Sequence, residues 1–406
     1  MQAAVLSAAS SAASAASVAR CELVERARHL APQIAARAAS TIASRRVLPE
    51  NIELLKSAGL SRVLQPQRCG GFEESLHTHL DVVAEIAGAC GSTGWCLGIY
   101  HAHQWLMGLY GPEAQADVYG HDTNTLISAV IGPRGEAVRT ADGYRLSGFW
   151  PFCSGVHNAQ WVMLGAHVVD ADASEPDSGI FLVPASQIEI KDDWYVAGLT
   201  GTGSNSVAVT DRLVPAHRFV SMPRAIEGVN PGQSVAPGDL YHCAPVPVLA
   251  LFLCGPAIGI ARRALDAFCK RLPGRVIAYT FDQPQVDSAI THAQIAEAST
   301  RIDAARLLLH SMVDEVESHA RARTAMPYER RSKARMDCAF AVKLCLEAVE
   351  LLVYASGGSA LAEGNEVQRA ARDIRAINMH GLLNWSTNLE TYGRTVLGLS
   401  PNSPVI

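Results

Sequence analysis

Two stripes of apolar residues in the last third of the chain most constrain its fold. Ile295, Ala298, Ile302, Ala305, Leu309 and Met312 step by three and four, as do Cys338, Ala341, Val342, Cys345, Ala348, Val349 and Leu352. Such steps put every member on one side of an α-helix. Lys343, Glu347 and Glu350 fall on the other side of the second stripe. Helices of roughly 30 residues would be about 45 Å long, which suits a helical bundle. Gly357 and Gly358 then offer left-handed residues to end a helix.

Upstream the period changes twice. Residues 21–119 read as helical: Leu48-Pro49-Glu50 starts a short helix with proline in its first turn. Leu64 to Phe72 is a loop, and Leu80, Val83, Ala84 and Ala87 form a helical stripe. Residues 120–237 instead hold short apolar or alternating runs, Leu126–Ile131, Tyr144–Phe149, Trp161–Val168, Gly179–Val183 and Ser206–Val209. Asp142-Gly143 between two of them is a hairpin signal, so this part is expected to be a small antiparallel β-domain. Residues 238–406 return to long helices. The order is helical, then strand, then helical, an α+β chain without internal repeats.

With 49% hydrophobic and 18% charged residues, the 406-residue chain can bury a large core. A net charge of −5 gives no electrostatic case for nucleic acid or an anionic membrane. No apolar run is expected to span a bilayer. Residues 1–20, rich in alanine and serine, lack the basic and apolar regions of a secretory signal and read as a flexible leader. The ten cysteines form no C-x-x-C pair and read as reduced, mostly buried thiols in a cytoplasm.

Five places could carry chemistry. Trp150-Pro151-Phe152-Cys153-Ser154-Gly155 ends a strand with backbone N–H groups and one hydroxyl; read blandly, it is a turn. In Gly198-Leu199-Thr200-Gly201-Thr202-Gly203-Ser204-Asn205 the glycines allow a close backbone approach, and Thr202, Ser204 and Asn205 add polar groups. No βαβ unit surrounds that run, so it is not a dinucleotide fingerprint. His101 and His103 lie two apart on a helix, which puts them on different faces and argues against a metal. His103 reads as a core or a catalytic histidine. His380 follows the Arg372-Asp373 pair and can act as acid or base near neutral pH. Arg275 and Arg369 are cations suited to phosphate, or to a solvated helix end or an ion pair.

The run Arg372-Asp373-Ile374-Arg375-Ala376-Ile377-Asn378-Met379-His380-Gly381, after Gly357-Gly358, resembles the last helical segment of the acyl-CoA dehydrogenase superfamily. The likeness covers nearly the whole chain after residue 40 and implies that superfamily's architecture: an N-terminal helical domain, a middle β-domain and a C-terminal four-helix bundle. In one large branch of the dehydrogenases a catalytic glutamate stands just before the glycine; here it is His380. The W-x-F-x-S-G and G-x-x-G-T-G-S-N segments, His103 two residues before Trp105, and the tail from Leu383 to Arg394 resemble the flavin-dependent monooxygenase branch. That resemblance implies reduced FAD or FMN and dioxygen as co-substrate, a C4a-peroxide, and an aromatic or heteroaromatic substrate of phenol or indole type. Trp150, Phe152, Ser154, Thr202, Ser204, Asn205, Arg275 and Arg369 would hold the flavin, with Ser154, also catalytic, donating to or accepting from N5 or the C4a-peroxide and so steadying the peroxide. His103 and His380 would orient the substrate or move its proton. A separate NAD(P)H-dependent flavin reductase and a homotetramer are further implications, with Arg275 reaching a neighbouring subunit's flavin. An acyl-CoA dehydrogenase with its base at Glu363 or Glu366, an N- or S-oxidising monooxygenase, and a non-catalytic helical scaffold remain as alternatives.

Overall fold

Pro49 opens a helix at the position where its missing N–H would have had no partner. In the computed structural model, which describes residues 2–170, 176–235 and 238–403 with side chains from Ala19 onward, that helix is the third of six. These are α1 (Gln2–Ala36), α2 (Ala38–Ala43), α3 (Pro49–Ser57), α4 (Leu76–Ala89), α5 (Gly91–Met107) and α6 (Pro112–Tyr119). Ser75 caps α4 by accepting from the Thr78 N–H. The backbone is helical where a flexible leader was expected over 1–20, and the side chains there lie mostly outside the described residues.

A sheet follows, with strands β1 (Ile127–Thr140), β2 (Gly143–Trp150), β3 (Trp161–Val169), β4 (Asp177–Pro184), β5 (Glu189–Ile190), β6 (Val207–Val214) and β7 (Phe219–Ser221). Their order is β5-β6-β2-β1-β3-β4-β7. The expected tight turn forms at Ala141-Asp142, one residue before Asp142-Gly143, with Thr140 opposite Gly143. The expectation of a wholly antiparallel domain fails at one seam, where β1 and β3 run parallel from Ile127↔Trp161 to Val138↔Val169. The reason is topological. β2 reverses against one edge of β1, and the chain reverses again before β3 takes the other edge. The link that makes this crossing, residues 151–160, carries Phe152, Ser154 and Gly155. A separate apolar core fills the sheet around Trp150, Leu146, Leu164, Phe181 and Val209.

The remaining helices are α7 (Met222–Ile226), α8 (Pro245–Leu251), α9 (Gly255–Lys270), α10 (Ala289–Arg321), α11 (Tyr328–Ser356), α12 (Glu366–Asn378) and α13 (Trp385–Val396). α9, α10, α11 and α12 pack together as the four-helix bundle, with α13 against α11 and α4 against α9. Both stripes face inward, Ile295 alone being partly exposed. Burying each large member contributes roughly 1.5–3 kcal/mol. Gly357 ends α11 at φ 59°, ψ −155°, not in the expected left-handed helical region but in one open to almost nothing except glycine. One further expectation is corrected: Pro245–Lys270 is long and apolar enough to cross a membrane, with an 18-residue stretch of mean hydropathy 1.6. The segment forms α8 and α9, and 83% of that stretch is buried inside the protein. All ten cysteines are free, and eight are buried.

Candidate active site

The crossing link is strained where it leaves β2. Phe152 adopts φ +67° and is 66% exposed, its ring edge-on to Trp194 at 6.1 Å. A non-glycine residue held there costs about 1–3 kcal/mol and persists only where its surroundings enforce it. They do: Cys153 N–H donates to Asn205 O and Gly155 N–H to Thr202 O, tying the link to the glycine-rich loop. Gly155 has φ +71°, and a Cβ there would lie 2.5 Å from the Tyr100 hydroxyl, which donates to Gly155 O at 2.8 Å.

Ser154 is the meeting point. Its Oγ accepts from Trp95 Nε1–H at 3.1 Å and lies 2.7 Å from Ser204 Oγ. Ser204 Oγ in turn lies 2.7 Å from Thr202 Oγ1, which donates to Leu199 O at 2.8 Å. All three hydroxyl residues are buried. Ser128 on β1 donates to Ser154 O at 2.7 Å. Asn205 does not present its amide to a ligand in the way the motif suggested. His157 Nε2 and the Lys191 carbonyl take up its two ends.

Asp373 fixes the far side of the loop. Its Oδ1 accepts the Leu199 N–H at 2.7 Å, and Leu199 sits at φ +50°. Burial pushes this carboxyl up to about 6, while the Leu199 N–H, Arg369 and Arg372 pull it down. Arg369 and Arg372 are half-buried, and their side chains make no hydrogen bond or ion pair among the described residues.

The two candidate histidines are neutral and of opposite tautomer. His103, buried on α5, donates Nδ1–H to Ile127 O at 2.6 Å, which leaves Nε2 as an acceptor without a partner among the described residues. Burial lowers its pKa to about 4. His380 is not helical, as the motif implied. It lies in extended backbone two residues past α12 and caps the turn Gly381–Leu383, its Nδ1 accepting from the Leu382 N–H at 3.3 Å. Its proton is therefore on Nε2, and burial lowers its pKa to about 4. Its ring lies 6.0 Å from that of Trp95. His101 faces elsewhere, against His79 and Leu60 O, and no metal-binding group exists among the described residues.

The structure thus joins Ser154, Thr202, Ser204 and His380 around Trp95, and links His103 through Ile127 and its neighbour Ser128. Two proposed cofactor residues lie apart. Trp150 is fully buried, its Nε1–H on Gly165 O and its ring over Gly135 and Gly148, so it belongs to the sheet core. Arg275 donates to Ser356 O at the end of α11, away from this cluster within one subunit. Trp95, Ser128 and Asp373 were assigned no role from sequence. Trp95 precedes His103 by eight residues on one helix, a usable signal; Ser128 carried none.

The family described as "Acyl-CoA dehydrogenase, C-terminal domain" matches residues 251–385. The chain is 33% identical over 379 residues, 93% of its length and 96% of the relative's, to the flavin-dependent monooxygenase oxygenase subunit HsaA of Mycobacterium tuberculosis. It is also 33% identical to the FADH(2)-dependent resorcinol hydroxylase oxygenase component of Rhizobium sp., over 93% of this chain and 95% of that one. Among solved structures, 3-HSA hydroxylase from Rhodococcus sp. RHA1 superposes with TM-score 0.90 at 33% identity, covering 95% of this chain and 99% of that chain. XiaF from Streptomyces sp., in complex with FADH2 and glycerol, superposes with TM-score 0.91 at 28% identity over 98% of this chain and 100% of that one. The chain belongs to the flavin-dependent monooxygenases of acyl-CoA dehydrogenase fold.

Proposed function

We propose that this chain is the oxygenase component of a two-component monooxygenase that hydroxylates a small phenol- or indole-like ring with reduced flavin and dioxygen. One observation carries the reading. The position of the dehydrogenase base holds His380, a neutral histidine presenting Nε2–H, packed beside the tryptophan that holds Ser154. The carboxylates that could have served a dehydrogenase are elsewhere: Glu366 pairs with Arg263 at 2.7 Å, and Glu363 is exposed.

The residues present fit a flavin. Phe152 offers an exposed aromatic face, Ser154 a buried hydroxyl, and Arg369 with Arg372 two half-buried cations for phosphate. Thr202 and Ser204 act through Ser154. Bound reduced flavin supplies the activated oxygen that is transferred to the ring. His103 Nε2 accepts the phenol O–H or indole N–H and so orients the ring; His380 Nε2–H steadies charge that develops on oxygen. His103 is buried and His380 partly buried, which limits the access of water to the oxidant.

Relatives are named for resorcinol, p-hydroxyphenylacetate and indole-3-acetate, all phenols or indoles, which supports that substrate class. A separate NAD(P)H-dependent reductase regenerates the flavin, and the preferred flavin is FAD or FMN. The active form is a homotetramer in which Arg275 meets a neighbour's cofactor, and ten free thiols suit work in the cytoplasm. Aerobic turnover with a generic flavin reductase, NADH and a panel of phenols and indoles tests the reading. Products 16 mass units heavier are expected; bleaching by an acyl-CoA with no oxygenated product overturns it.

A further inference from the structure

The three hydroxyls at Ser154 form a chain whose direction its ends dictate. An indole N–H cannot accept, so Trp95 donates to Ser154. A carbonyl cannot donate, so at the other end Leu199 O can only accept, and Thr202 Oγ1 lies 2.8 Å from it. With Thr202 donating there, Ser204 donates to Thr202 and Ser154 donates to Ser204, across two gaps of 2.7 Å each. Every hydroxyl proton is then used inside the protein, and Ser154 meets a ligand as an acceptor.

The chain can also run the other way. Thr202 then donates to Ser204, Ser204 to Ser154, and Ser154 outward. Leu199 O is not stranded, because it still accepts the Thr202 N–H at 3.0 Å. It does lose one of its two donors. The first direction therefore satisfies one more protein acceptor than the second.

We propose that Thr202 and Ser204 are positioning residues that set Ser154 to accept, and that this setting makes the site prefer reduced flavin over oxidised flavin. This inference rests on the flavin reading above, in which Ser154 meets N5. N5 of reduced flavin carries a hydrogen and is a donor; N5 of oxidised flavin has only a lone pair. Reduced flavin finds the chain already in its resting direction. Oxidised flavin forces three hydroxyls to turn and strips Leu199 O of one donor. Leaving as an acceptor-only ligand also suits a cofactor that must depart for re-reduction.

Thr202→Val tests this. It keeps the shape and the Thr202 N–H bond to Leu199 O but removes the hydroxyl that terminates the chain. Ser204 then has only Ser154 to donate to, and Ser154 is turned outward. Anaerobic titration of the purified protein with reduced and with oxidised flavin, followed by fluorescence, reads both affinities. The ratio in favour of reduced flavin should shrink by roughly two- to tenfold, about one hydrogen bond's worth. Thr202→Ser, which restores the hydroxyl, should restore the ratio. A variant that weakens both forms by the same factor, or a ratio unmoved by Thr202→Val, overturns the inference while leaving the flavin reading intact. A wild-type protein that binds neither form sinks the flavin reading and this inference with it.

Discussion

His103 and His380 carry their single ring protons on opposite nitrogens, one turned to accept and the other to donate. Their roles are therefore not interchangeable. His380→Ala should keep the fold yet lose substrate oxidation by roughly 10²–10⁴-fold, with hydrogen peroxide rising in proportion. Ser154→Ala should act earlier, shortening the life of the oxidant; stopped-flow absorbance after mixing with oxygen separates the two steps. Normal coupling in a folded His380→Ala would reassign that residue to packing and move the catalytic role to His103. Acidity follows from the same burial. His101, His103 and His380 all sit at about 4, below the ordinary 6.5. Each stabilises the fold fully above about 6.5, and that contribution is lost as pH falls through 4, at roughly 1.4 kcal/mol per unit. Asp373, raised to about 6, has the opposite sign: its contribution is full below about 3.9 and lost as pH rises through 6. Melting temperature should thus fall between pH 6.5 and 4, and more steeply in Asp373→Asn, which keeps an acceptor for the Leu199 N–H but cannot titrate. An unchanged slope in that variant would count against the assignment.

At the scale of elements, two ties hold the site: α12 reaches the glycine-rich loop through Asp373, and α5 reaches the crossing link through Trp95 and Tyr100. Asp373→Ala should free Leu199 from φ +50°, lower stability by about 1–3 kcal/mol and weaken flavin binding. Leu199→Gly in the same background should recover part of the stability, which thermal melts can read. How much was legible in the sequence follows element by element. The stripes on α10 and α11 gave both bundle helices because three-and-four stepping is local. The β1–β2 hairpin was legible because Asp142-Gly143 is a local turn signal, and the turn falls within one residue of it. The parallel seam between β1 and β3 was not, since it depends on which edge of β1 the chain returns to. Ser154, Thr202 and Ser204 were found by motif, but their mutual bonds join segments 50 residues apart. Trp150 misled for the same reason. Its motif neighbours face the site, whereas strand alternation and the space over Gly135 and Gly148 turn its ring into the sheet.

Over the whole molecule, apolar surface is left where a single chain has no use for it. Tyr279 and Phe281 are fully exposed on the hairpin that follows Arg275, and Ile290, Leu307 and Tyr354 stand out on the bundle. Such patches mark association surfaces. Light scattering should show a tetramer, and Phe281→Asp should give smaller species with weaker flavin binding. A stable monomer that still turns over substrate would remove the proposed reach of Arg275 between subunits. For the tetramer, mass action makes the melting temperature rise with protein concentration. Cys96 and Cys153 draw out one last consequence. Both are buried beside the glycine-rich loop and the crossing link, Cys96 with its Sγ–H on Thr202 O, and burial pushes both thiols far up. Peroxide attacks thiolates and hardly touches thiols. An enzyme that leaks peroxide whenever coupling fails therefore keeps the sulfur nearest the leak in its unreactive form. Oxidation of cysteine during uncoupled turnover should begin at exposed Cys21 and spare these two.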